Sequence, residues 1–294
     1  MRRIPICFLS LLLTAGTMWA VCREAAAPAS TKPQYEADPR GYVIEPEDDF
    51  QLGQSSLEDL LPALSPAAPV ERTSYTLLEG ASHELSVTHI CGAGEGPILY
   101  VVAGLHGDER AGWYAATLLQ DAAIHAGELY VLARANPWGA ENGERTTRQK
   151  MDVNRRFPGS PEGSDAEQIA EAIFQDIGRV HPVLVLDLHE ARILREGRDF
   201  LGNSLILGQT QGIEELLLNL WDDANQFSDA PFSFFSGAPE GSLNAVVGKE
   251  LQIPVISVET FRGDPLSQRV RRQLQVLLYV LKKEGVLLAG EQVP

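Results

Sequence analysis

Short apolar runs alternate along the chain with amphipathic segments of helical length. Continuous apolar runs predict strands buried on both faces of a sheet, and apolar residues recurring every three or four positions predict helices. The strands are predicted at residues 98–103, 128–133, 183–188 and 255–258, and the helices at 110–124, 212–226 and 264–284. Another helix is predicted from Ser164, which is followed by acidic residues in a capping pattern. This order predicts an α/β fold with a mixed, largely parallel central sheet flanked by helices.

The remaining segments predict edge strands and loops. Alternating polar and apolar residues at 75–78 and 84–88 predict edge strands, and residues 204–207 form a further short strand. The polar stretch at 136–157 predicts a long loop of the kind that carries function. Residues 237–243 are rich in Gly and Pro, which predicts a surface turn or loop.

Side chains with metal-binding chemistry follow the predicted strands. The first central run leads into His-Gly-Asp-Glu at 106–109, and the run at 182–188 ends in His189. Ligand sites of open α/β sheets form at the carboxyl ends of the strands, and a catalytic zinc takes three protein ligands such as His nitrogens and a carboxylate. We therefore predict one zinc per chain on His106, Glu109 and His189. Taken alone, residues 106–109 are equally well explained as a solvated turn that caps the next helix.

Two further carboxylates belong to the same predicted sheet edge. Asp187 shares a strand face with His189 and is placed to orient that imidazole. The apolar run at 253–258 ends in Glu259, which predicts a general base for hydrolysis at a metal. A glutamate that simply reaches solvent where its strand ends is the alternative. We expect the other four histidines to be surface or structural residues.

Arginines cluster between the first two of these strand ends. The chain carries a net charge of −16, yet four arginines lie close together at positions 145, 148, 155 and 156. A guanidinium group suits a substrate carboxylate or a developing oxyanion, and Asn154 adds a neutral hydrogen bond. Surface ion pairs with the many acidic residues are the alternative explanation.

The combination and order of these motifs resemble the zinc carboxypeptidase superfamily, and within it the succinylglutamate desuccinylase/aspartoacylase branch. The matching motifs are His-Gly-Asp-Glu, Asp-x-Asn-Arg-x-Phe-Pro-Gly from 152, Asp-Leu-His-Glu from 187 and Val-Glu-Thr from 258, and the resemblance extends from about Tyr75 to the C-terminus. It implies that His106, Glu109 and His189 bind zinc. It also implies that Glu259 is the general base and later protonates the leaving amine.

The same resemblance implies how the arginine cluster binds and polarises the substrate. Asn154 and Arg155 would hold the substrate carboxylate, and an arginine upstream of them would polarise the scissile carbonyl. We choose Arg148 for that role, with Arg145 as the alternative, because the spacing does not decide between them. Arg156 is expected at the surface.

The N-terminal part of the chain predicts export. Arginines followed by an apolar stretch and small residues predict a signal peptide over residues 1–21, with an uncleaved anchor or lipidation at Cys22 as alternatives. Residues 22–73 are rich in Ala, Pro, Ser and acids and predict a flexible tether. Within it, residues 56–61 predict a short helix, with a transient turn of the linker or a segment that folds over the catalytic domain as the alternatives. Residues 74–294 form the predicted catalytic domain.

Composition limits the remaining possibilities. The strong acidity argues against nucleic acid as a partner, because its phosphates would be repelled. A membrane partner is expected only through an N-terminal anchor. Cys22 and Cys91 could pair in an oxidising compartment, and the cysteine spacing disfavours a zinc thiolate site.

These observations predict a zinc hydrolase that cleaves an amide next to a free carboxylate, in a small molecule or a peptide. A deacylase of N-acyl amino acids is the favoured function. An exported metallocarboxypeptidase acting on peptides or cell-wall peptides is the alternative, and a catalytically inactive binding module is the third reading. The amine released from acylated amino acids or from peptides would distinguish the first two.

Overall fold

The computed structural model describes residues 36–48, 50–51, 71–192, 201–223 and 231–287. The predicted signal peptide and the predicted short helix at 56–61 lie outside these residues. Among the helices that the structure describes, none combines the length and the apolar character needed to cross a membrane.

A single mixed sheet organises the part of the chain that is described. Its eight strands are β1 Glu71–Leu77, β2 Leu85–Cys91, β3 Gly94–Ala103, β4 Ala126–Leu132, β5 Leu184–Ala191, β6 Ser204–Leu207, β7 Ser233–Ser236 and β8 Val255–Phe261. Their order is β1-β2-β4-β3-β5-β8-β6-β7. The central strands β4, β3, β5 and β8 are parallel, and antiparallel pairs flank them on both sides. The predicted mixed, largely parallel sheet is confirmed.

Helices cover both faces of the sheet. They are α1 Arg110–Leu119, α2 Pro137–Asn142, α3 Asp165–Val180, α4 Glu214–Asp223, α5 Leu243–Val246 and α6 Leu266–Lys283. Side chains alternate along β5, so Leu186 packs with α1 and α6 while Val185 packs with α3 on the other face. The predicted cap of α3 is present as a reciprocal pair of hydrogen bonds between Ser164 and Glu167.

Several elements differ from the sequence prediction for identifiable reasons. Strand β2 lies inside the sheet, because β4 pairs with it on the side opposite β1. Helix α1 ends at Leu119, although buried Ala122 and Ile124 extend its apolar pattern beyond that end. Strand β7 and helix α5, of four residues each, were not predicted from the sequence.

Residues 36–48, which we call the N-terminal strap, pack on the catalytic domain. These residues lie within the predicted tether, and in the structure they contact the catalytic domain. The backbone N–H of Val43 donates to the carbonyl of Arg192 at 2.8 Å, and the Val43 side chain is buried. Asp48 accepts hydrogen bonds from both the N–H and the hydroxyl of Ser267 at the start of α6.

A buried ion pair connects β5 to α6. Glu190 and Arg269 are fully buried partners, and Glu190 also accepts a hydrogen bond from the N–H of Ala111 at 3.0 Å. Burial raises the pKa of Glu190, although Arg269 and Arg262 act in the opposite direction. Removing one member of such a pair leaves the other buried without a counter-charge.

We therefore expect Arg269→Met to lower the free energy of unfolding by about 3–5 kcal/mol. The double variant Glu190→Gln with Arg269→Met should recover part of this loss, because no buried carboxylate is then left unpaired. Urea unfolding at neutral pH measures both effects. Equal losses in the single and double variants would contradict the role given to the pair.

Candidate metal centre

A tight turn after β3 delivers His106 and Glu109 to the edge of the sheet. Gly104 has φ of +72°, a conformation that suits glycine, and its carbonyl accepts from the N–H of Asn136 at 2.9 Å. Gly107 lies against the backbone of α2, where a Cβ atom would come within 2.0 Å of the Gly139 carbonyl carbon. Contacts with the loop after β4 therefore hold the turn in place.

The carboxylate of Glu109 lies between two imidazoles. Nδ1 of His106 is 2.8 Å from one of its oxygens, and Nδ1 of His189 is 2.8 Å from the other. All three side chains are buried, and one ligand atom from each lies within 4.8 Å of the other two. Two imidazole nitrogens and a carboxylate oxygen form a donor set suited to a divalent transition metal. The structure thus brings the three predicted ligands together into a candidate metal site.

The second nitrogen of each imidazole contacts another carboxylate. Nε2 of His189 is 3.0 Å from Oδ2 of Asp187, and Nε2 of His106 is 3.1 Å from Oδ1 of Asp152. Such contacts set the tautomer and the orientation of a metal-binding imidazole. The Asp187 contact agrees with its predicted placement. Asp152 was part of a recognised motif, but the sequence did not indicate that it contacts His106.

The charges of this cluster favour a bound cation. Burial alone would raise the pKa of Glu109, but the imidazoles of His106 and His189 outweigh it and hold that pKa well below its usual range. Burial opposes protonation of His189, yet the carboxylates of Asp187 and Glu109 raise its pKa well above the usual value. These carboxylates therefore stabilise a positive charge at the position where a metal ion would supply one.

Glu259 lies beside this cluster. In the parallel pair formed by β5 and β8, Glu259 is the register partner of His189, so both side chains leave the same face at neighbouring positions. Burial raises the pKa of Glu259 to about 8, with His189 lowering it and the carboxylates of Glu109 and Asp187 raising it further. A buried carboxylate with a high affinity for protons suits proton transfer near neutral pH.

The arginines of the long loop take different positions. Arg145 reaches the centre, where Nη1 donates to Glu109 at 3.1 Å and Nη2 donates to Asp152 at 3.1 Å. Arg148, the arginine chosen from the sequence, is exposed and does not line the cavity beside the cluster, whereas Arg145 does. The structure therefore favours the alternative, Arg145, over Arg148.

Asn154 and Arg155 also line the cavity. Asn154 is buried, with its amide nitrogen 3.2 Å from Nε2 of His189 and its oxygen accepting from the N–H of Leu243 at 2.8 Å. The exposed side chain of Arg155 donates to the carbonyl of Asn154 at 2.6 Å. Arg156 is exposed, as expected, and is not among the residues that line the cavity.

A cavity of about 530 Å³ opens over the cluster. The predicted loop at 237–243 forms one of its walls through Gly237, Ala238, Pro239 and Ser242. The sequence did not indicate several other lining residues, which come from the strap, from the end of β5, from α5 and from β8: Tyr42, Arg192, Asn244 and Ser257. These four residues lie outside the metal-binding and catalytic motifs, so only the fold reveals their place.

The other histidines have structural contacts away from the centre. His83 lies 3.0 Å from the side-chain oxygen of Gln168, and His181 ends α3 in a left-handed conformation. His89 pairs with Glu128 at 2.7 Å, and Cys91 lies beside it as a free thiol. These three half-buried groups could also approach a metal ion, although His89 and Glu128 already satisfy each other directly.

Comparison with known proteins places this geometry in a family. The succinylglutamate desuccinylase/aspartoacylase catalytic domain matches residues 95–275, which is more than half of the chain and includes every predicted site residue. The chain belongs to the succinylglutamate desuccinylase/aspartoacylase family. The resemblance inferred from the motifs is confirmed.

The individual proteins that match the chain do so over a small part of its length or at low sequence identity. The chain is 36% identical over 102 residues to the N-alpha-acetyl-L-2,4-diaminobutyric acid deacetylase of Halomonas elongata, and this match covers 33% of the chain but only 29% of that protein. A succinylglutamate desuccinylase structure from a Silicibacter species superposes with a TM-score of 0.59 and 19% identity, covering 78% of this chain and 73% of the other. The cell shape determinant protein Csd4 of Helicobacter pylori gives 0.59 and 18%, covering 71% and 57%. Both structural likenesses show the fold alone.

We expect His189→Ala to abolish divalent metal binding, because the remaining donors are too few for a stable catalytic site. Metal content is to be measured after zinc saturation and gel filtration, with His83→Ala as the matched control. The wild type and the control should each retain about one equivalent. Undiminished metal in His189→Ala would remove this residue from the ligand set.

Proposed function

We propose that this protein is a zinc-dependent deacylase that hydrolyses the amide bond of N-acyl amino acids. The observation that carries the proposal is the buried His–Glu–His cluster beside Glu259, in a chain that belongs to a family of desuccinylases and deacylases. His106, Glu109 and His189 would hold one zinc ion per chain. When bound, zinc would polarise the scissile carbonyl and acidify a water molecule.

Glu259 is the general base in this proposal. Its burial and raised pKa support the acceptance of a proton from the attacking water. The protonated carboxyl would then deliver that proton to the nitrogen of the leaving amine, since hydrolysis of an amide requires the amine to leave as a neutral group. Its place next to His189 across two adjacent strands keeps it at the reacting centre.

The arginines and Asn154 position the substrate. Arg155, exposed at the cavity wall, would bind the free carboxylate of the amino acid, with Asn154 as its neutral partner. Arg145 would stabilise the negative charge that develops on the carbonyl oxygen, because it is held beside Glu109 by two carboxylates. The cavity of about 530 Å³ has room for a small acylated amino acid.

The substrate class is proposed from the named relative and from the carboxylate anchor. The Halomonas relative is a deacetylase of an N-acetylated amino acid, which supports an acylated amino acid here. Cleavage of a peptide at its C-terminal residue uses the same carboxylate anchor, so a metallocarboxypeptidase is the alternative. We retain export of the protein as part of the proposal, on the pattern of its first 21 residues.

We expect Glu259→Gln to lower kcat by about 10²–10⁴-fold, because the amide cannot accept the proton of the attacking water. Metal content should stay at the wild-type level, since Glu259 lies outside the donor set. The kcat and the metal content are both measured on the zinc-loaded protein. A kcat within about threefold of wild type would contradict the assigned role.

Arg145 and Arg148 form a matched pair for the oxyanion role. Arg145→Ala should lower kcat by about 10²–10³-fold through loss of a preorganised donor, whereas Arg148→Ala should stay near wild type. Metal content is measured in parallel, because Arg145 also contacts Glu109. The reverse ranking would restore the arginine chosen from the sequence, and loss of metal in Arg145→Ala would assign Arg145 to the metal centre.

A substrate panel tests the reaction itself. N-acetyl and N-succinyl amino acids are compared with short peptides that carry a free C-terminus, and the release of free amine is measured. Turnover of the acylated amino acids by the zinc-loaded wild type would support the deacylase. Turnover of peptides alone would support the carboxypeptidase, and turnover of neither would overturn the proposal.

A further inference from the structure

The N-terminal strap contributes a wall to the cavity of the catalytic domain. Tyr42 on the strap and Arg192 at the end of β5 both line it. We propose that Tyr42, supported by Arg192, contacts the acyl group of the substrate and determines which acyl groups are accepted. This inference rests on the proposed deacylase function and concerns the part of the substrate that the family motifs leave unassigned.

Contacts within the strap and with Arg192 hold the Tyr42 ring in place. The guanidinium of Arg192 lies 4.1 Å from the ring centroid, and that of Arg40 lies 4.9 Å from it. Cation–π contacts of this kind orient an aromatic ring. The N–H of Tyr42 donates to Asp38 at 3.1 Å, and the N–H of Val43 donates to the carbonyl of Arg192 at 2.8 Å. Backbone and side chain of this short stretch are therefore both tied to the cavity rim.

Glu45 anchors the strap just after Tyr42. Its carboxylate pairs with Arg269 at 2.8 Å, with Arg110 at 3.3 Å and with Arg262 at 3.7 Å. Partial burial would raise its pKa, but Arg262, Arg269 and Arg110 outweigh that effect and lower it. A carboxylate surrounded by three guanidinium groups keeps its charge and its position. This arrangement makes the strap a docked part of the domain.

Arg192, beside the strap, and Arg145, in the loop of the carboxylate anchor, both contact the turn after β3. Arg192 donates to Asp108 at 3.3 Å, whereas Arg145 donates to the neighbouring Glu109. The two arginines therefore approach the turn after β3 through different carboxylates, and Arg145 belongs to the same loop as Asn154 and Arg155. A substrate whose carboxylate binds that loop, and whose amide lies at the metal centre, extends its acyl group towards Tyr42.

An aromatic ring at this position favours acyl groups long enough to lie against it. An acetyl group ends close to the reacting carbonyl and gains little contact, whereas an acyl chain of several carbon atoms can bury apolar surface on the ring. Tyr42 would thus act as a specificity-determining residue, and Glu45 as a positioning residue that acts through the strap.

The test compares hydrolysis of N-acetyl, N-butanoyl and N-hexanoyl derivatives of one amino acid by the full-length, zinc-loaded protein. We expect Tyr42→Ala to lower kcat/KM for the hexanoyl substrate by about tenfold, mainly through KM, and for the acetyl substrate by less than about threefold. Tyr42→Phe keeps the ring and should retain the wild-type ratio of hexanoyl to acetyl turnover. An unchanged or increased ratio in Tyr42→Ala would overturn the proposal.

Glu45→Gln tests the strap without touching the cavity wall. Loss of the charge should loosen the strap, speed hydrogen exchange at the Val43 amide and shift the acyl ratio in the same direction as Tyr42→Ala. Glu47→Gln, at an exposed position of the same strap, is the matched control and should leave exchange and acyl ratio unchanged. Faster exchange in Glu45→Gln with an unchanged acyl ratio would overturn the proposal.

Failure of this inference can be told apart from failure of the proposed function. If the wild type hydrolyses the acylated amino acids and the Tyr42 variants keep its ratios, only the acyl-wall inference fails. If the wild type hydrolyses none of them, the deacylase function fails and the inference with it. Metal content of each variant should equal that of the wild type, because Tyr42 and Glu45 lie outside the donor set.

Discussion

A buried carboxylate between two imidazoles is the interaction on which the rest of this structure depends. Glu109 is held by His106 and His189, and it also accepts from the N–H of Glu190 and from Arg145. A charge removed from water is tolerated only when nearby groups compensate it. The ends of β3 and β5 and the loop after β4 must therefore meet at one place, and this requirement positions the candidate metal centre.

A second layer of charge lies behind the ligands. Asp108 and Glu190 neighbour two of the proposed ligands in sequence, and both are held by arginines from the C-terminal part of the chain. Arg262 and Arg269 in turn bind Glu45 of the strap. One ionic network thus connects the metal centre, α6 and the N-terminal strap. Arrangement of the ligands and docking of the strap are expected to depend on each other for this reason.

The residues that sequence reasoning located are those at the ends of central strands. An apolar run that stops at a histidine or a glutamate identifies a side chain at the ligand-binding edge of the sheet, because parallel strands deliver their last side chains to the same edge. His106, Glu109, His189 and Glu259 were found in this way. The sequence favoured Arg148 over Arg145 without a pattern to decide between them, because both lie in a loop with no periodicity. The structure shows that Arg145 contacts Glu109 and lines the cavity.

The sequence by itself determined the α/β architecture, the order of the motifs and the chemistry of the proposed ligands, because these depend on local patterns of apolar and polar residues. Only the tertiary structure decided which arginine reaches the centre and which residues complete the cavity. The strap shows the reason most clearly. Glu45 pairs with Arg269, which lies 224 positions further along the chain. The composition of the strap alone therefore indicates a solvated tether, and the arginine that pairs with Glu45 is identified only in the folded structure.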